Sequence, residues 1–200
     1  SVKDHIAAIG EEATVVGVKG AYDYLVENDI TPTFYLSVEP RNRPVTRPQK
    51  NSIFLLASRI APEMFEALKD YEILMWNSWS VEYENAEFEG HLAIGGGTTS
   101  GLRAICIGYV LGFRNFHLYG FDSCLVDGEK RLGQGQLHEK VTTTDVIVGG
   151  RKFLCNMAMA QQADDFQGLY EFLPDIHITS FGDGLITAII EERRRNGLLT

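Results

Sequence analysis

Short runs rich in β-branched and aromatic residues alternate with helical patterns along the chain, and this alternation limits the fold more than any other feature. Residues 13–18 (ATVVGV), 33–39 (TFYLSVE), 52–58 (SIFLLAS), 72–76 (EILMW), 115–120 (NFHLYG) and 176–180 (IHITS) read as strands, with a further short one at 91–95 (HLAIG). Between them, residues 21–29, 62–70 and 102–112, a segment of roughly 151–171 and another from Gly184 read as helices. Pro62 stands at the start of its helix, where a missing N–H costs nothing. Strands and helices in alternation imply a mostly parallel sheet with helices on both faces. The expected class is α/β, Rossmann-like. Helix 102–112 is expected to cross over between strands 72–76 and 115–119 of one sheet.

The 200 residues suit a single domain over the whole length 1–200. A net charge of −9 argues against broad nucleic-acid binding, which needs clustered Lys and Arg. The one basic cluster, Arg193 to Arg195, suits a helix C-terminus. No apolar run approaches the roughly 20 residues of a membrane span, and the first ten residues lack the layout of a secretory signal. Cys106, Cys124 and Cys155 form neither a CxxC pair nor a disulfide framework, which points to a reducing cytoplasm. Cys106 lies on an apolar helix face, as a small hydrophobe would.

Ligands of such sheets bind beyond the carboxyl ends of the strands. Lys19, Glu39, Asn77 and the Gly120–Asp122 turn all follow strands, and so does the stretch HLAIGGGTTSGL, residues 91–102. Three glycines and three hydroxyl residues there precede a helix whose apolar face is Leu102, Ile105, Cys106, Tyr109, Val110 and Phe113. One capping hydroxyl would satisfy an ordinary helix start. Thr98, Thr99, Ser100 and Gly101 together suit a phosphate cradle, with backbone N–H groups and the helix dipole facing an anion. Two readings of the Arg41, Arg43 and Arg47 loop stand side by side: a solvated surface, or an anion-holding arm aimed at that turn. Trp76 and Trp79 suit either hydrophobic anchoring or stacking on a base or sugar.

The stretch TTSGLRAICIGYVLGFRNFHLYGFDSC, residues 98–124, resembles the central motif of Campylobacter-type bacterial sialyltransferases. The wider superfamily includes the Maf flagellin glycosyltransferases and the archaeal 6-hydroxymethylpterin diphosphokinase MptE. The opening SVKDHIAAI is similar to the end of that group's Gly-x-Gly-Pro-Ser-Leu turn, so a first strand and most of a glycine-rich turn are expected upstream of Ser1. The closing SFGDGLITAIIEE is similar to its terminal turn and helix. The resemblance implies that Thr99, Ser100 and Gly101 contact the ribose or phosphate of a nucleotide, with Asp122 and Ser123 shaping the same site. A turn or capping aspartate is the structural alternative for Asp122. Lys19 stands where related sialyltransferases carry an Asn that contacts cytidine, and a Lys there meets a phosphate as a point charge.

Three functions are compatible with these residues. A nucleotide-sugar-dependent glycosyltransferase needs a phosphate cradle and a base for the acceptor hydroxyl; His138 in the long polar stretch is the candidate, with a solvent-facing loop histidine as its alternative reading. A diphosphokinase acting on a pterin needs ATP and Mg²⁺ held by carboxylates. Its relatives carry Thr-Asp-Leu-Asp-Gly where this chain has LSVEPRNRP, which leaves Glu39 without a second acid. A nucleotide-binding module without catalysis is the third. The expected partner is a small nucleotide or nucleotide-sugar, with Mg²⁺ required only by the kinase reading.

Overall fold

In a computed structural model, residues 9, 13–79, 93–125 and 142–199 are described. The chain divides into two compact units, Ile9–Ile107 and Gly108–Thr200.

The first unit is built on a five-stranded parallel sheet in sequential order: β1 (Val16–Val18), β2 (Phe34–Ser37), β3 (Ile53–Ala57), β4 (Glu72–Ser78) and β5 (Ala93–Ile94). Alternate residues of β2 and β3 divide two cores. Tyr35 and Phe54 are register partners on one face, where they pack with Tyr22 of α1 (Gly20–Glu27) and Met64 of α2 (Pro62–Ala67). Leu36 and Leu55 are partners on the other face and pack with Ile107 of α3 (Ser100–Val110). Both faces are therefore covered, which is the physical reason these strands read as apolar runs. The fold is α/β and Rossmann-like, as the alternation of elements predicts.

Close approach sets α1 against β1. A Cβ on Gly17 would stand 2.7 Å from the Tyr22 Cα and 2.8 Å from its Cβ. Tyr22 is fully buried, and its ring meets those of Tyr35 and Phe54 at 5.5 and 5.8 Å. Its hydroxyl donates to Ser52 Oγ (2.8 Å) and accepts from the Gln49 N–H (3.1 Å), while Ser52 Oγ donates to the Pro32 carbonyl (2.6 Å). The polar tip of the largest core side chain is thereby satisfied, as burial demands.

In the second unit, β6 (Asn115–Tyr119) and β9 (His177–Phe181) pair in parallel, and Tyr119 stacks on Phe181 with centroids 4.6 Å apart. Between them in sequence lie an antiparallel hairpin, β7 (Thr143–Val148) and β8 (Arg151–Asn156), and the helix α4 (Met157–Phe172). The chain closes with α5 (Leu185–Arg195), which buries Leu185, Ile186, Ala188, Ile189 and Ile190 and carries Arg193, Arg194 and Arg195 in its last turn. Those cations complement the helix C-terminus as expected.

Two expectations need correction. Strand 115–119 does not share a sheet with 72–76 among the described residues: β6 pairs with β9, whose partners include Phe116↔Ile178. Apolar periodicity announces a buried strand but says nothing about its neighbour. The helix expected from about 151 begins at Met157, where the Asn156 side chain caps it by accepting from Met159 N–H (2.8 Å). Residues 151–156 instead form β8, with Phe153 and Cys155 buried and Lys152 and Leu154 exposed, a period of two. Gly149 and Gly150 join the hairpin with φ of 58° and 77°, the positive pair that a two-residue hairpin turn requires.

Candidate functional site at the carboxyl edge of the five-stranded sheet

Because all five strands are parallel, their carboxyl ends share one edge. Lys19 follows β1 there, Glu39 stands two residues beyond β2, and the glycines that lead into α3 follow β5. The start of α3 accounts for two of its hydroxyls. Thr99 is the cap: its Oγ1 accepts from Leu102 N–H (3.4 Å), and its carbonyl accepts from Arg103 N–H (3.1 Å). Ser100 is 2% exposed, and its Oγ accepts from Val38 N–H (3.3 Å), which fixes the first turn of α3 beside the end of β2. Among the described residues no hydrogen bond leaves the N–H groups of Ser100 and Gly101, the helix positions that lack internal partners.

The glycines ahead of that turn are held closely. Gly96 and Gly97 take φ of 117° and 82°, and a Cβ on Gly96 would collide with the sulfur of Cys106. From the second turn of α3, the Arg103 guanidinium donates to the carbonyls of Gly97 (2.9 Å), Trp79 (2.9 Å) and Ile94. Cys106 is buried, which raises its thiol pKa, with Arg103 opposing the shift. It acts as core and not as a nucleophile.

A charged cluster stands on the same edge. Glu39, 9% exposed, accepts at both oxygens from Arg41: Nε to Oε1 at 2.6 Å and Nη2 to Oε2 at 2.9 Å. Lys19 Nζ meets the same Oε2 at 3.4 Å. The Glu39 N–H donates to Ser37 Oγ (3.1 Å), which anchors the carboxylate's backbone. Lys19 takes φ 51° and ψ −128°, a conformation that favours glycine and costs a residue with a Cβ about 1–3 kcal/mol. The Arg41 hydrogen bonds hold the Glu39 carboxyl down at about 2; burial opposes this shift, and the Lys19 charge adds to it.

Stability should follow that shift with a definite sign. The folded pKa is depressed, so the stabilisation is complete above the unfolded value of about 4.3. It should fade as pH falls through the interval from about 4.3 towards the folded value of about 2. Urea midpoints of the parent and Glu39→Gln should differ by a constant amount above about pH 5 and converge as acid is added. A gap that persists unchanged at pH 3 would show that the cluster is not what the carboxylate stabilises.

The remaining predicted residues have separate places. Arg47 pairs with Glu27 (3.3 Å), and its N–H donates to Asp23 (3.0 Å), while Arg43 is exposed. Trp79 is 41% exposed, and the Trp76 indole nitrogen is buried without a partner among the described residues. Asp122 and Ser123 belong to the second unit, Thr98–Gly101 to the first. The Asp122 carbonyl accepts from Leu185 N–H (2.8 Å) at the start of α5, and a Cβ on Gly184 would stand 2.5 Å from the Asp122 Cα. Ser123 has φ 54° and is 2% exposed, and its Oγ has no partner among the described residues. His138 lies outside the described residues.

Sequence reasoning singled out Lys19 and placed Arg41 in a loop, but missed their convergence on Glu39. The Glu-Pro-Arg order of residues 39–41 was the available signal, since a turn there brings Arg41 back onto the acid. Arg103 was missed entirely.

A metal site has a different donor set from this one. Both Glu39 oxygens are taken by cations, and the described residues contain no group of three or more His, Cys, Asp or Glu able to hold an ion. Mg²⁺ does not fit Glu39 as it stands. No described helix is long and apolar enough to cross a membrane.

A search of curated proteins gives no match. Among solved structures, the Maf glycosyltransferase of Magnetospirillum magneticum AMB-1 superposes with a TM-score of 0.63 at 13% identity, over 92% of this chain and 29% of that one. The likeness is one of fold, and this chain spans less than a third of that protein's length. The profile of the family described as 6-hydroxymethylpterin diphosphokinase MptE-like matches residues 1–128, well over half of the 200. With a parallel sheet presenting a glycine-rich turn at its carboxyl edge, and with that match, the chain belongs to the 6-hydroxymethylpterin diphosphokinase MptE-like family.

Proposed function

We propose that this chain binds a nucleotide at the carboxyl edge of the five-stranded sheet and serves a nucleotide-sugar-dependent glycosyl transfer. The observation that carries the reading is the turn before α3. Its Ser100 and Gly101 N–H groups have no partner among the described residues, its glycines permit close backbone approach, and Ser100 ties it to β2 beside Lys19 and Glu39. Thr98, Thr99, Ser100 and Gly101 would receive the phosphate or ribose, and Lys19 a phosphate. The fold shared with a Maf glycosyltransferase supports this choice among the chemistries.

In the transfer, the bond from the sugar's anomeric carbon to its phosphate oxygen breaks, and the nucleotide leaves with the electron pair. The acceptor oxygen forms the new bond and gives its proton to a base. His138 is the residue proposed for that base, since an ordinary imidazole titrates near neutral pH. A cradle at the leaving phosphate stabilises the charge that develops there.

The family match favours a second reading, transfer of diphosphate from ATP with release of AMP. A panel of CMP, CDP, UDP, GDP, ADP and ATP, each with and without Mg²⁺, separates the two when followed by thermal melting. A ligand at 100 times its Kd stabilises by about 2.7 kcal/mol, a readily measured rise in Tm. Stabilisation by a pyrimidine or guanine nucleotide, with turnover of the matching sugar donor, supports glycosyl transfer. AMP release from ATP supports the kinase. Binding without turnover leaves a nucleotide-binding module, and no shift with any member overturns nucleotide binding.

A further inference from the structure

The cluster at the end of β2 inverts the charge pattern that a metal-assisted diphosphate site requires. Such a site presents free carboxylate oxygens to a divalent cation, which then neutralises the phosphates. Here the carboxylate lies beneath and the cations lie outside: Glu39 is 9% exposed, whereas the Lys19 and Arg41 side chains are 41% and 70% exposed. Both cations meet at Glu39 Oε2. Arg41 uses two of its five N–H donors on Glu39, and Lys19 one of three, so the outward donors remain for another anion. The cluster keeps one net positive charge within a chain of net charge −9. Ser100 holds the first turn of α3 against Val38, the residue before Glu39, so the unbonded helix N–H groups stand at the same strand end.

We infer that Lys19 and Arg41, positioned by Glu39, take the place of a divalent cation, and that the chain binds the diphosphate group of a nucleoside diphosphate ligand without Mg²⁺. The inference rests on the nucleotide-binding reading above and narrows it. Two cations side by side suit the adjacent charges of a diphosphate. Arg41 offers a planar fork to phosphate oxygens and Lys19 a mobile point charge. The strained backbone at Lys19 fits this role, since glycine would relieve the strain but remove the charge.

Isothermal titration calorimetry on the full chain tests this with CMP, CDP, UDP, GDP and ADP, each in EDTA and in excess Mg²⁺. The expected result is that a nucleoside diphosphate binds with Kd equal within twofold in the two buffers, and more tightly than the monophosphate. Arg41→Gln should weaken that binding about tenfold, as loss of one charge-assisted contact implies. Lys19→Gly should raise Tm while also weakening binding, a combination that a merely structural Lys19 would not produce. Binding that tightens tenfold or more with Mg²⁺, or that survives both substitutions unchanged, overturns the inference and leaves nucleotide binding standing. Absence of binding by every nucleotide overturns both.

Discussion

Replacing Gly101 with Val should abolish measurable nucleotide binding while leaving the fold largely intact. Gly101 is the second residue of α3, one of two adjacent positions whose N–H groups have no partner among the described residues. A β-branched side chain there stands between the backbone and an incoming phosphate. Each N–H bond to a charged acceptor is worth about 1.5–3 kcal/mol, so losing two weakens binding by at least roughly a hundredfold. The helix itself loses nothing in propensity, since valine ranks above glycine there, and Thr99 still caps it while Ser100 still reaches Val38. Calorimetry against the nucleotide that binds the parent, with circular dichroism to establish folding, is the measurement. Undiminished affinity would reduce the turn to a helix cap and remove the basis of the functional proposal.

Gly17→Val should have the largest effect on stability, about 3 kcal/mol or more. The new Cβ would overlap the Tyr22 backbone at 2.7 Å, so α1 must move as a body and not one side chain alone. That movement pulls Tyr22 away from Tyr35, Phe54 and Ser52 together. Gly17→Ala should already destabilise, and the larger residue more. Urea midpoints of the two variants give the order, and a valine variant within 0.5 kcal/mol of the parent, the ordinary surface range, would show that α1 does not pack as described.

Elements whose signals are local were legible in the sequence. β2 and β3 read as continuous apolar runs because both faces are buried, and the α3 face predicted from Leu102, Ile105 and Cys106 is buried too. Its continuation was not: Val110 is 68% and Phe113 39% exposed, since apolar spacing does not state where a core ends. The β7–β8 hairpin carried its own signal in the Gly149-Gly150 pair, but Thr143 to Val148, next to a long polar stretch, was assigned to no element. Strand pairing was illegible for a deeper reason. Parallel neighbours are joined only through distant chain, so nothing near residues 115–119 specifies β9. The same holds for the site. Thr98–Gly101 declare themselves by composition, whereas the Lys19–Glu39 contact joins residues 20 positions apart and exists only once β1 and β2 are aligned.

The grip of Arg103 on the loop carbonyls changes when the chain meets the cost of ordering its glycines. Fixing the backbone of a residue removes about 1–2 kcal/mol of conformational entropy, and glycine loses the most. A loop of three glycines left loose would lose that entropy at the moment a ligand arrives, and affinity would fall accordingly. With one guanidinium bound to Gly97, Ile94 and Trp79, the loss is incurred during folding instead, against the burial of the whole unit. The loop thus combines glycine's lack of bulk with a backbone fixed before any ligand of the proposed site would dock.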